Sequence, residues 1–273
     1  MEPEEPQNAL TRKFTDNEWK ALKEFRFNLS SVFSEAFPDK SDANTSPIKL
    51  WGVVIDPNKK DARVSVILMK FLRARYLSVT EAQSMLISTL RWRVSFKLDE
   101  VMSEEFPSDV FGQLARVHGQ DKGGRPVTYN LYGANKDLKA VFGDIPRFIR
   151  WRVSLMEKEV ALLDFENTDQ MVQIHDYEGV TLSSRDANSK IAANEATNIF
   201  SSHYPELLYK KFFVNVPTLM SWIYWAFKPL LPSKTFAKLS VVGYGPHTIG
   251  KALLPYIEPD QLPERYGGTS KSF

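Results

Sequence analysis

The sequence predicts an α/β protein in which a helical N-terminal unit precedes a unit built on a mixed β-sheet. Two observations carry that prediction. Through roughly the first hundred residues, apolar side chains recur at helical spacing. After Pro107, short strand-like runs alternate with helical stretches, the order that builds a parallel or mixed sheet covered by helices. A length of 273 residues suits one large domain joined to a small one, and 43% apolar with 25% charged residues is an ordinary globular composition.

Taken in order, residues 1–14 open with MEPEEPQNAL, acidic and proline-containing, and are expected to form a disordered lead-in and not a signal or transit peptide. The helical unit is expected over 15–105. Residues 16–36 have helical spacing, and FPDKSDANTSP (37–47) is a loop of turn formers. ARVSVILMKFLRARYL (62–77) reads as a helix ending in basic residues, as a helix C-terminus favours. Ser78 opens SVTE, a capping-box pattern with Glu81, and Ala82, Met85, Leu86 and Leu90 then mark one buried face. The second unit, 106–273, begins with the strands GQLARVHG and RPVTYNLYG on either side of the turn DKGG. A helix over about 146–165, the strand MVQIHDYEGV, a helix over 185–203, the strand KFFVNV (211–216), an apolar helix in PTLMSWIYWAFKPLL and a last strand KLSVVG follow. There is no internal repeat or low-complexity tract.

Composition narrows the chemistry. With no cysteine, disulfides, zinc-thiolate sites, iron–sulfur clusters and thiolate-ligated haem are excluded. A net charge of +2 provides no strong field toward nucleic acid, and no nucleic-acid partner is expected. No stretch approaches the roughly 20 apolar residues of a membrane span, so a cytoplasmic protein with only peripheral membrane contact is expected.

Five groups of residues stand out. His175 and Tyr177 in QIHDYEGV (173–180) lie two apart, so they share a strand face with Gln173 while Val172, Ile174 and Asp176 take the other. Such a pair is either a hydrogen-bonded core couple or a ligand site, and spacing leaves both open. Arg152 follows Phe148 by four and precedes Leu155 and Met156 by three and four, which puts a guanidinium on an apolar helix face. It needs a partner there, either a protein carboxylate or an anionic ligand group. Lys211 shares a face with Phe213 and Asn215, and Tyr132 shares one with Thr128 and Asn130. Finally, Leu219, Met220, Trp222, Ile223, Tyr224, Trp225 and Phe227 cover nearly all sides of a helix over 217–228, which must be buried or touch lipid.

KFLRARYLSVTEAQSMLISTLRWR (70–93), DKGGRPV (121–127), YPELLYKKFFVNVPTLMSWIYWAFKPLLPSKTFAKLSVVG (204–243) and QLPERYGG (261–268) together resemble successive landmarks of the CRAL-TRIO, or Sec-fourteen-like, lipid-transfer family, over about 15–270. The resemblance implies a mixed sheet flooring a large apolar pocket, closed by a gating helix, with one lipophilic ligand exchanged at a membrane surface. It puts the gate at 217–228, with Trp222, Tyr224, Trp225 and Phe227 toward the membrane. Members that carry phosphatidylinositol use an acidic residue in YPE and a lysine after the gate, and these positions are Glu206 and Lys238.

VTYNLYG, RFIRWRVSLMEK, HDYEGV and YPELLYKKFFVNVP further resemble the Sec-fourteen-homologue-five subgroup, non-classical phosphatidylinositol transfer proteins that also bind haem. By that resemblance Tyr177 is the axial ligand to ferric haem b, His175 is its neighbour, and Tyr132, Arg152 and Lys211 complete the site. The implied function is haem-binding phosphatidylinositol transfer without enzymatic turnover. It would operate in the cytoplasm with transient attachment to the endoplasmic reticulum or plasma membrane. A haem-dependent peroxide-handling enzyme and a plain phosphoinositide-presenting protein are the alternatives. Oligomeric state is not legible.

Overall fold

The computed structural model describes residues 5–180, 187–216, 236–271 and 273. The proposed gate residues Trp222, Tyr224, Trp225 and Phe227 lie outside them. Packing divides the chain into two units. The first holds residues to Glu104 together with Val153–Asp169 and Glu195–Leu207, and the second holds Glu105–Arg152, Gln170–Asn194 and Leu208–Phe273.

The first unit is built on α1 (Asp16–Phe27), α2 (Leu29–Ala36), the hairpin β1 (Ile48–Leu50) with β2 (Val53–Ile55), α3 (Ala62–Ala74), α4 (Val79–Ser95) and α5 (Leu98–Ser103). The helical stretch expected over 16–36 forms two helices, α1 and α2, that meet at Asn28. A capping box does form, but at Thr15 and Glu18, where each side chain accepts from the other's backbone N–H. Ser78 caps α4 without a side-chain bond. The chain reaches it through Tyr76 and Leu77, both left-handed (φ 50° and 65°), and a backbone turn from Ser78 N–H to the Arg75 carbonyl (2.9 Å) sets the entry instead.

The lead-in is not disordered from residue 5 onward. Glu5 pairs with Lys60 at 2.9 Å and Arg26 at 3.5 Å, and Asn8 Nδ2 donates to the Phe165 carbonyl at 2.9 Å. These ion pairs and this hydrogen bond hold a polar segment against the unit. Within the unit Trp51 stacks near Phe71, Phe165 and Tyr204 at centroid distances of 5.8, 6.2 and 6.3 Å.

The second unit contains α6 (Ser108–Phe111), β3 (Ala115–Gln120), β4 (Pro126–Leu131), α7 (Leu138–Phe142), α8 (Ile145–Val160) as far as Arg152, β5 (Met171–Asp176), the start of α9 (Ala187–His203), β6 (Leu208–Val214), β7 (Leu239–Val241) and α10 (Pro246–Leu253). The strands form one sheet in the order β3-β4-β5-β6-β7. β3 and β4 are antiparallel around the DKGG turn, and the other pairings are parallel. The expected mixed sheet is therefore present.

Strand alternation gives the sheet two chemically different faces. Val127, Tyr129 and Leu131 of β4, Val172 and Ile174 of β5, and Phe212 and Val214 of β6 pack with Ile249 and Leu253 of α10 and with Tyr266 in one apolar core. The alternate residues form the opposite face, where register places Asn130 beside His175 and His175 beside Phe213. One residue pair earlier, Thr128, Gln173 and Lys211 form a parallel row.

Candidate functional site

The polar row on this second face is linked by hydrogen bonds whose direction can be worked out atom by atom. Arg152 Nη1 donates to Asn130 Oδ1 at 2.6 Å. A guanidinium has only donors, so the amide oxygen faces Arg152 and the amide nitrogen faces the imidazole, 3.4 Å from His175 Nε2. The other ring nitrogen, Nδ1, lies 2.7 Å from Tyr132 Oη. Both nitrogens of His175 are thus engaged, and the ring is buried. Burial, then the charges of Lys211 and Arg152, hold its pKa well below the usual imidazole value.

Tyr177 lies just beyond the end of β5 and is half-buried. Its backbone N–H donates to the Val214 carbonyl at 3.0 Å, continuing the ladder with β6 by one residue. Its ring lies 5.1 Å from that of Tyr132 and 6.3 Å from that of Phe213. His175 is 5.4 Å from the Tyr132 ring and 5.5 Å from the Phe213 ring. Tyr132, His175 and Tyr177 are therefore brought together, and the charges of Lys211 and Arg152 reach His175. A crevice continues from Asn130, Tyr132 and Arg152 between apolar walls from Leu114, Leu138, Val141, Phe148 and Trp151.

The strand end is anchored from the opposite face. Asp176 is buried between the two site residues in sequence. Its carboxylate accepts from Asn215 Nδ2 (2.8 Å), Tyr266 Oη (2.7 Å), Arg265 Nη2 (3.1 Å) and the backbone N–H of Glu178 (2.8 Å). The QLPERYGG segment therefore fastens the end of the strand that carries His175 and Tyr177.

Haem in its ferric state asks for an axial oxygen or nitrogen donor, cations for its carboxylates and flat apolar walls. The phenol of Tyr177, the charges of Arg152 and Lys211, and the rings of Phe213 and Tyr132 fit that donor set. Of the headgroup candidates, Lys238 adjoins Lys211, whose backbone N–H donates to the Lys238 carbonyl at 2.8 Å. Glu206 belongs to the first unit and Lys238 to the second. Glu206 has a left-handed backbone (φ 55°), and its carbonyl accepts from Lys70 Nζ at 3.1 Å.

Two participants escaped the sequence reading. Asn130 shares the face of Tyr132, and its signal in the sequence is an amide flanked by Tyr129 and Leu131 on an apolar strand. Lys70 was read as part of a helix ending in basic residues. It is 1% exposed, and its ammonium donates to Asp169 Oδ2 (2.7 Å), the Asp169 carbonyl (2.6 Å) and the Glu206 carbonyl.

Residues 111–268 match the model of the CRAL/TRIO domain. Phosphatidylinositol transfer protein sfh5 of Botryotinia fuckeliana is 37% identical over 257 residues, covering 88% of this chain and 57% of that protein. Phosphatidylinositol transfer protein SFH5 of Cryptococcus neoformans var. neoformans is 35% identical over 271 residues, with 92% of this chain and 87% of that protein covered. The chain thus spans little more than half the length of the Botryotinia relative and most of the Cryptococcus one. A crystal structure of Sfh5 superposes with a TM-score of 0.78 at 28% identity, covering 96% of this chain and 90% of that one.

Proposed function

The chain belongs to the CRAL/TRIO domain family, and we propose that it is a carrier that binds and transfers phosphatidylinositol and also holds ferric haem b, with Tyr177 as axial ligand. The names of two relatives support the first half: those from Botryotinia and Cryptococcus, at 37% and 35% identity, are called phosphatidylinositol transfer proteins. The observation that carries the second half is the gathering of Tyr132, His175 and Tyr177 on one sheet face under the charges of Arg152 and Lys211. Bound haem would supply a redox-active iron. Tyr177 would offer it an anionic oxygen, Arg152 and Lys211 would offset negative charge, and Phe213 would add an apolar ring to the site. An anionic oxygen donor favours ferric over ferrous iron because it offsets the higher charge more strongly.

A carrier accounts for the site better than a peroxide-handling enzyme. Such an enzyme wants an acid/base over an open position, whereas both nitrogens of His175 are engaged within the protein. Headgroup binding is assigned to Glu206 and Lys238, and exchange to transient contact with a membrane surface, the endoplasmic reticulum or plasma membrane, from the cytoplasm. Among the described residues no helix is long and apolar enough to cross a membrane. The test is absorbance together with mass spectrometry of freshly purified protein. A Soret band and co-purifying phosphatidylinositol are expected. Colourless protein that gains no band on addition of haem, yet carries phospholipid, would leave only the lipid half standing.

A further inference from the structure

Asn130 occupies the centre of the polar row and does something that neither ring does. Its Oδ1 is committed to Arg152 at 2.6 Å, so it can present only N–H to His175 Nε2. That nitrogen must then carry a lone pair, and in a neutral imidazole the proton goes to Nδ1. Nδ1–H faces Tyr132 Oη at 2.7 Å, so it donates to the phenol oxygen. The Tyr132 hydroxyl, accepting from histidine, directs its own proton elsewhere. Its ring lies 5.1 Å from Tyr177 on the same face.

We infer that Asn130 is a positioning residue that fixes the direction of this chain: Arg152 donates to Asn130, Asn130 to His175, and His175 to Tyr132, so that the Tyr132 proton is turned away from His175. The tautomer of His175 follows from the amide alone. Its consequence for a phenolate at Tyr177 rests on the haem reading above. A donor turned toward that oxygen shares its negative charge, and the charge left on the oxygen sets how strongly it donates to iron.

Reversal of the chain is available through an isosteric change. In Asn130→Asp, one carboxylate oxygen keeps Arg152 and the other accepts from His175, so a proton is drawn onto Nε2. In the neutral ring, Nδ1 is then left as an acceptor, and the Tyr132 hydroxyl turns toward it. The carboxylate beside Arg152 is a paired charge, which preserves the packing. The experiment uses ligand-free protein carrying nitrogen-15 in its four histidines, with His175 assigned by its loss in His175→Gln. Two-bond correlations from the ring carbon protons report which nitrogen is protonated. Bare Nε2 in the wild type and protonated Nε2 in Asn130→Asp are expected. Protonated Nε2 in the wild type, or bare Nε2 in Asn130→Asp, would overturn the assignment.

A second measurement adds haem b to both proteins. The phenolate-to-iron charge-transfer band of Asn130→Asp should move relative to the wild type. An unmoved band would remove the link to Tyr177. If wild type takes up no haem, the haem reading falls while the tautomer result still judges Asn130. Tyr132→Phe serves where Asn130→Asp folds poorly: it removes the relay atom and leaves Asn130 in place. Nε2 should stay bare and the band should move, and an unchanged band or a protonated Nε2 would count against the chain.

Discussion

Replacing Tyr266 by phenylalanine tests the anchor that holds the site strand. The Tyr266 ring is fully buried and stacks on Tyr129 at 5.3 Å, so phenylalanine keeps the packing and opens no cavity. What is lost is one hydroxyl donating to the Asp176 carboxylate at 2.7 Å. Burial first, then the Asp176 charge, raise the pKa of this phenol, so it remains a donor throughout the neutral range. A bond to a charged acceptor contributes about 1.5–3 kcal/mol. Asp176 would keep Asn215, Arg265 and the Glu178 N–H, so it is not orphaned, and the expected cost lies near the lower end, about 1.5–2 kcal/mol. Asp176→Ala is more severe because the Tyr266 hydroxyl and the Asn215 amide, both buried, lose their acceptor at about 1–3 kcal/mol each. Arg265 is partly exposed and keeps Glu178 at 2.5 Å. Urea unfolding by linear extrapolation measures the costs, and amide exchange at Ile174 to Tyr177 localises them. If Tyr266→Phe falls within about 0.5 kcal/mol of wild type, or costs as much with Asp176 already replaced by alanine, the hydroxyl–carboxylate bond is not the anchor.

The remaining predictions concern pH, iron and lipid. His203 stacks on Trp92 at 4.4 Å, and burial pushes its pKa down to about 4. Between that value and the usual value of about 6.5 the unfolded chain binds the proton and the folded chain does not, so stability is complete above the window and falls as pH drops through it. The ring is only half-buried, which limits the loss to about 1–2 kcal/mol; His203→Asn should flatten that limb in urea titrations at pH 7 and 4.5, and an unchanged slope counts against it. Tyr177→Phe should keep the fold by circular dichroism but lose haem absorbance, while His175→Ala perturbs the spectrum less; the reverse order would make histidine the ligand. Trp222→Asp with Trp225→Asp should slow phosphatidylinositol transfer between vesicles several-fold, and unchanged transfer would remove the 217–228 segment from exchange. Lys238→Ala should weaken phosphatidylinositol binding more than haem binding, and equal losses would point to one shared site.

The fold was legible where periodicity and turn chemistry agree. Alternation in MVQIHD predicted two faces, and the register places Val172 and Ile174 in the core with Gln173 and His175 opposite. The DKGG turn marked a strand on either side of it, and these are β3 and β4, which pair antiparallel. Failures came from local signals that tertiary context overrode. SVTE has the letters of a capping box, but the left-handed turn at Tyr76 and Leu77 sets the entry to α4. The acidic lead-in lacks apolar content, yet Glu5 finds Lys60 and Arg26, partners more than twenty and fifty residues away that composition cannot reveal.

Which candidate residues share a face was legible in the sequence, but not the circuit that joins them. Period-two spacing put His175 beside Tyr177, and helical spacing put Arg152 on an apolar face; neither says what a guanidinium will meet. The expected alternatives were a carboxylate or an anionic ligand group, and one partner the structure provides is the neutral amide of Asn130. That choice matters chemically. A carboxylate there would accept a proton from imidazole, whereas an amide pinned by Arg152 can only donate to it. The identity of one uncharged residue, visible in the sequence only as an amide between Tyr129 and Leu131, therefore decides which nitrogen of His175 is protonated and where the Tyr132 hydroxyl points.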